Sequence, residues 1–260
     1  MESQPPEPVH LAVFGGSGLY SLLDDVSSIE IATPWGSPSA PVAVGRVGDM
    51  RVGFLPRHGE RHHLPPHRVN YRANVDAMRQ LGAQIVLAPF ACGSLRRELV
   101  PGDFVVVDQF VDRTSGREAT FFDDFSDGPT HVSMAEPYDP EVRRVLVDVG
   151  HASGITVHDG GTVVAVNGPR FSTRAESSSF AAAGWDLVNM TQCPEAGLAR
   201  EAGLRYAALG LVTDYDAGLD DDPTIEPVTQ EAVFALFDRN ISTMRGLLLG
   251  SIAQLEPLLS

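Results

Sequence analysis

The 260-residue chain has only two cysteines, Cys92 and Cys193, and they form no close pair motif. This excludes a disulfide framework and points to reduced thiols in a cytosol, each serving as a small apolar residue. Cations are scarce: 19 Lys and Arg stand against 34 Asp and Glu, a formal charge of −15. So acidic a surface is a poor match for the nucleic-acid backbone or for anionic membranes. The chain lacks an apolar run of about 18 residues, so no membrane-spanning helix is expected. The opening MESQPPEPVH has neither the basic start nor the apolar stretch of a secretory signal. Residues 1–10 are expected to be a flexible tail before one domain at 11–260. No fixed-period repeat or low-complexity block is visible.

The composition is that of a globular chain, with 43% hydrophobic and 20% charged residues. A chain of this length buries a core without staples. The 25 glycines and 19 prolines predict many tight turns. Leu11 to Phe14 is an apolar run ending in Gly15-Gly16-Ser17-Gly18, a strand followed by a glycine turn. Ala40 to Val47 and Met50 to Leu55 flank Gly48-Asp49, a hairpin signal. Asn70 to Gly82 has apolar residues near helical spacing. Gln84 to Ala91 and Phe104 to Val111 read as buried strands. Asp139-Pro140 opens a helix. Thr162 to Val166 is strand-like, and Thr173 with Glu176 has the spacing of a capping box before a helix over Ala175 to Ala183. Short strands at Leu187 to Met190 and Tyr206 to Val212 flank a helix from Pro194 to Ala202. Val233 to Leu248 is a long amphipathic helix, and Thr114 to Pro129 a polar surface loop. The alternation argues for an α/β fold, a single domain with a central mixed β-sheet flanked by helices.

Four segments carry candidate chemistry. The Gly15–Gly18 turn is either an ordinary strand end or a place where amides and the Ser17 hydroxyl meet an anion. It is neither a Walker loop nor the full dinucleotide fingerprint. Pro56-Arg57-His58-Gly59 opens a rare basic cluster that includes Arg61, His62, His63, His67 and Arg68. Arginine grips phosphate through its forked donors; the alternatives are a solvated basic turn or a metal site. Against metal, Pro65-Pro66 breaks any helix that would align the histidines, and no carboxylate or cysteine ligand is obvious. Thr191 precedes Pro194 at a helix start, where it either binds an anion or simply caps the helix. Asp214 and Asp216 end a strand, at i and i+2, and point the same way in an extended chain. They either grip amino and ring N–H groups, with one keeping a proton for acid catalysis, or form a solvated turn. Asp220-Asp221-Asp222 beyond them reads as solvated loop.

Together these segments resemble the trimeric branch of the purine nucleoside phosphorylases, and most closely the 5′-methylthioadenosine phosphorylases. The motifs are GGSG (15–18), PRHG (56–59), NYRANVDAM (70–78), ACGSLR (91–96), GDFVVVDQFVDRT (102–114), MAEPY (134–138), NGPRFSTRAES (167–177), NMTQCPEAGLAREAG (189–203) and LVTDYD (211–216). They run in one order from Ala12 to about Leu248. The resemblance implies that inorganic phosphate replaces a purine on the sugar's carbon 1, with no metal or organic cofactor. It implies a phosphate site of Ser17, Arg57, His58, the Ala91 backbone and Thr191. Met190 would meet the sugar, Phe171 would pack on the purine, and Asp214 and Asp216 would bind its edge, with Asp214 as the acid. His62 would lie near the sugar's 5′ position, where the site borders a neighbouring subunit. The resemblance implies a homotrimer, or a hexamer of two paired trimers.

Three positions depart from that pattern. Phe90 stands where the family has a hydroxyl residue, and Asn167 where it has glutamate. Gln230 aligns with an apolar residue of the methylthio pocket. With Ser172, Asn167 and Gln230 are therefore candidate specificity residues. The expected substrate is methylthioadenosine, the alternative a broader purine nucleoside such as inosine, guanosine or adenosine. A nucleosidase using water, or a non-catalytic nucleoside-binding protein, fits less well because Arg57, His58, Thr191 and Asp214 are all present.

Overall fold

The computed structural model describes residues 7–16, 19, 23, 26–126, 128–219, 222, 224–225 and 227–259. Among them the strands are β1 (Leu11–Gly15), β2 (Ser27–Ile29), β3 (Val42–Val47), β4 (Met50–Pro56), β5 (Ile85–Ser94), β6 (Phe104–Val106), β7 (Gln109–Arg113), β8 (Val157–Asp159), β9 (Thr162–Val166), β10 (Leu187–Asn189) and β11 (Arg205–Asp214). The α-helices are α1 (Tyr71–Gln80), α2 (Pro140–Ala152), α3 (Arg174–Ala182), α4 (Gln192–Glu201) and α5 (Gln230–Ile252).

The strands join one mixed sheet, ordered β2-β3-β4-β1-β5-β10-β9-β7, with β11, β6 and β8 branching from β5. β4, β1, β5 and β11 run parallel. Strand side chains alternate between faces, so each buried strand feeds two cores. Ala12, Phe14, Val86, Ala88, Tyr206 and Ala208 join the core under α1 and α4. Leu11, Val13, Ile85, Leu87, Ala207 and Leu209 join the core under α2 and α5. Both faces are covered, as parallel strands require.

The expected start signals operate. Asp139 accepts from the Glu141 and Val142 N–H groups ahead of Pro140. Thr173 and Glu176 form a reciprocal capping box. Asn70 caps α1 through the Ala73 N–H, and Thr229 caps α5 through the Ala232 N–H. Gly48, at φ 58, turns the β3–β4 hairpin.

The structure also differs from expectation. β2 and β8 are three-residue strands, too short for periodicity to reveal. The strand expected over 104–111 is two: β6 pairs with β11 and β8, while β7 pairs with β9. The chain changes partners at Val107-Asp108, where Asp108 accepts from the Gly161 N–H at 2.9 Å. β5 continues three residues past Ala91, because Gly93 and Ser94 pair with β10. Residues 7–10, expected in the tail, are held: Val9 is buried and donates to the Leu81 carbonyl at 2.8 Å. Residues 1–6 lie outside the described residues.

Candidate active site

The candidate residues gather where β1, β4 and β11 end, the usual ligand position of a parallel sheet. Arg57 follows β4 directly, and its N–H donates to the Gly15 carbonyl at the end of β1 (2.9 Å). Ser17, the other candidate on that turn, lies outside the described residues. Arg57 is 1% exposed, which excludes the solvated-turn alternative. A buried guanidinium needs a partner. Glu195 of α4 supplies it, accepting from Nε at 2.5 Å and Nη2 at 2.7 Å. Nη1 reaches the Pro89 carbonyl of β5 at 3.4 Å. Burial disfavours the Arg57 cation, but Glu195 outweighs it and raises the pKa.

His58 places Nδ1 2.9 Å from the Leu64 carbonyl. A carbonyl only accepts, so Nδ1 carries the proton and Nε2 is left with a lone pair. Burial, and then the Arg57 charge, push the His58 pKa down to about 4, so the ring is neutral at physiological pH. It stacks on His62 with centroids 4.4 Å apart, and His62 meets the edge of Phe234 from α5 at 6.5 Å. Burial lowers the His62 pKa as well. Gln230 is exposed, one turn before Phe234.

Ala91 and Thr191 are joined by Asn189. Its Nδ2 donates to the Ala91 carbonyl (3.0 Å), and its Oδ1 accepts from the N–H groups of Thr191 (2.6 Å) and Gln192 (2.8 Å). Thr191 therefore stands at the cap position of α4, but the side chain that accepts from the N–H groups there is that of Asn189. Thr191 is buried, and among the described residues its hydroxyl donates to Asn189 Oδ1 alone, at 3.3 Å. Helical geometry is interrupted at Cys193.

At the end of β11 the Thr213 hydroxyl donates to Asp214 Oδ1 (2.6 Å) and the Asp216 N–H to Asp214 Oδ2 (2.8 Å). Burial raises the Asp214 pKa to about 6; these two bonds oppose the rise and the Asp216 charge adds to it. Asp216 is 3% exposed and adopts φ 48, a left-handed conformation that Asp tolerates better than most residues. Burial raises its pKa, while the facing Ser172 and Ser177 hydroxyls lower it. The Ser172 hydroxyl and Asp216 Oδ2 are nonetheless both buried without a well-formed hydrogen bond. Both residues crowd Gly93 of β5, where a Cβ would lie 2.9 Å from Asp214 Oδ2 and 3.0 Å from the Asp216 Cβ.

The segment between β9 and α3 forms another wall. Phe171 and Ser172 are half-buried there, and Met190 packs so tightly on Gly168 that a Cβ would overlap its sulfur. The Asn167 amide is engaged by Ser115, accepting from its N–H and donating to its carbonyl, both at 3.1 Å. Phe90 is buried among apolar residues, with its ring against Gly210. Among the described residues no group of three or more His, Cys, Asp or Glu side chains could hold a metal ion.

Four residues to which the sequence reading gave no role are prominent. Glu195, Asn189 and Phe234 are described above. Arg117, in the loop read as surface, donates to the Asn167 carbonyl (2.9 Å) and the Cys193 carbonyl (2.5 Å) and lies over the Tyr71 ring. Glu195 and Asn189 sit inside a quoted motif, but only the burial of their partners reveals what they hold.

The phosphorylase superfamily model matches residues 10–252. The S-methyl-5′-thioadenosine phosphorylase of Mycolicibacterium smegmatis is 50% identical over 248 residues, covering 95% of this chain and 91% of that protein. The purine nucleoside phosphorylase of Streptomyces coelicolor is 49% identical, covering 94% and 89%. The methylthioadenosine phosphorylase of Schistosoma mansoni, solved with adenine, superposes with a TM-score of 0.89 at 41% identity and covers 95% and 92%. A variant of that enzyme solved with methylthioadenosine gives 0.87 at 40% identity, covering 95% and 91%. The chain therefore belongs to the phosphorylase superfamily and, within it, to the nucleoside phosphorylases that include methylthioadenosine phosphorylase.

Proposed function

We propose that this chain is a pentosyltransferase that converts 5′-methylthioadenosine and phosphate to adenine and 5-methylthioribose 1-phosphate. The observation that carries the reading is a buried arginine and a buried carboxyl, its pKa raised to about 6, at the ends of strands in one parallel set. Arg57, Thr191 and the Ala91 backbone hold the phosphate, and the His58 Nε2 lone pair accepts from a phosphate hydroxyl. A phosphate oxygen attacks carbon 1 of the sugar, and the bond to nitrogen 9 breaks with its electron pair leaving on the base. Protonated Asp214 gives its proton to nitrogen 7 of the departing purine. The phosphate's negative charge faces the cation that develops on the sugar. The nucleophile is the co-substrate itself, so this reaction calls for no metal or organic cofactor.

Two carboxyls accept from a 6-amino group, which favours adenine over a 6-oxopurine. The Asn167 amide, which would suit the 6-oxo group, is occupied by Ser115. Phe234 beside His62 offers apolar surface to a methylthio group. We further propose a homotrimer whose site borders a neighbour near His62, and a cytoplasmic location, supported by two buried free cysteines. No helix among the described residues is long and apolar enough to cross a membrane.

Base release from methylthioadenosine, adenosine and inosine, each with and without phosphate, tests the reaction. Phosphate-dependent adenine release, fastest from methylthioadenosine, is expected. Release without phosphate would make the protein a nucleosidase, and preferred release of hypoxanthine would make it a broader purine nucleoside phosphorylase.

A further inference from the structure

We propose that Glu195 is a positioning residue, which holds the Arg57 guanidinium so that one N–H of each terminal nitrogen faces the phosphate. This rests on the phosphorolysis reading above.

A guanidinium has five N–H donors in a rigid plane. In Arg57, Glu195 takes one from Nε and one from Nη2, at 2.5 and 2.7 Å. The Pro89 carbonyl takes one from Nη1 at 3.4 Å. One donor remains on each terminal nitrogen, and such a pair matches two oxygens of a phosphate. Which way it faces is set by the edge Glu195 occupies. Glu195 is itself fixed: it is 0% exposed, and the Tyr206 hydroxyl donates to its Oε1 at 2.8 Å. Tyr206 is 1% exposed, so this support cannot swing away. Glu195 lies four residues beyond Thr191 at the start of one helix. That short segment thereby sets the place of Thr191 directly and of Arg57 indirectly.

Glu195 has two separable effects on phosphate. It aims the guanidinium, and it cancels part of its charge. Glu195→Asp keeps the charge and withdraws the carboxylate by one methylene. Glu195→Gln keeps the length and removes the charge. If positioning is the role, Glu195→Asp raises the KM for phosphate about 10-fold while the KM for the nucleoside stays within about twofold. Tyr206→Phe, which leaves Glu195 and Arg57 in place but removes the hydroxyl that braces Oε1, raises the phosphate KM about threefold. That variant decides the question should neither Glu195 variant fold. An unchanged phosphate KM in Glu195→Asp, with a lowered one in Glu195→Gln, overturns the proposal and leaves only charge tuning. Equal losses toward both substrates overturn it in favour of a purely structural role. Wild-type base release that ignores phosphate would instead refute the underlying reaction, so the two failures are distinguishable.

Discussion

Asp214 binds its proton more tightly in the folded protein than in the unfolded chain, with a pKa of about 6 against the ordinary 3.8. Burial is the main cause, since a carboxylate removed from water is the costlier form. A raised folded-state pKa contributes stability that is fully present below about pH 4 and is lost as pH rises through 6. Two units correspond to about 3 kcal/mol. The stability of the wild type relative to Asp214→Asn is therefore expected to fall by about 2 kcal/mol between pH 4 and 7, measured by denaturant unfolding. A difference that stays flat with pH would show that Asp214 titrates normally. The same ionisation governs activity. For the wild type, kcat/KM for an adenine nucleoside should fall above about pH 6, since only the protonated form donates. Asp214→Asn should turn over slowly and lack this descending limb. The site thus accepts a destabilising group at neutral pH because the departing base needs its proton.

β5 and β11 meet along nearly their whole length, and Gly210 opposite Phe90 lets the larger side chain fit. A Cβ on Gly210 would lie 2.9 Å from the Phe90 ring and 3.1 Å from the Cys92 sulfur. Gly210→Ala should cost about 1–3 kcal/mol by overpacking, and adding Phe90→Leu should recover much of it. Thermal unfolding of the single and double variants checks this; additive losses would mean the two positions are independent. The pairing explains how the chain tolerates an aromatic ring where its relatives are expected to carry a hydroxyl. Long-range fits of this kind are what the sequence hides. The capped helices α1, α2 and α3 and the β3–β4 hairpin were legible because their signals are local. The split of β6 from β7 was not, since it depends on which strand each half meets. For the site, Arg57 and Asp214 were visible as residue types at strand ends. Glu195 was not, because a buried partner 138 residues away leaves no local pattern, and neither was the link of Asn189 to Ala91, 98 residues away.

The two cores leave few large apolar side chains in the open. Phe125 and Phe234 are 51% and 45% exposed, and Phe234 lies beside His62. Phe234 suits the proposed contact with a neighbouring copy near the 5′ end of the sugar. Light scattering during gel filtration should give three times the 27.9 kDa chain mass, or six times if trimers pair. A monomer would leave His62 without its proposed border. The pairing of Arg57 with Glu195 also bears on how phosphate arrives. The deeply buried Arg57 cation is matched by an anion, and the chain as a whole carries −15. The net charge of the chain therefore repels a distant phosphate dianion. Screening shortens that repulsion, to about 8–10 Å at physiological ionic strength. Raising sodium chloride from about 10 to about 150 mM should thus increase kcat/KM for phosphate, the reverse of the salt response of an enzyme that draws its anion in from afar.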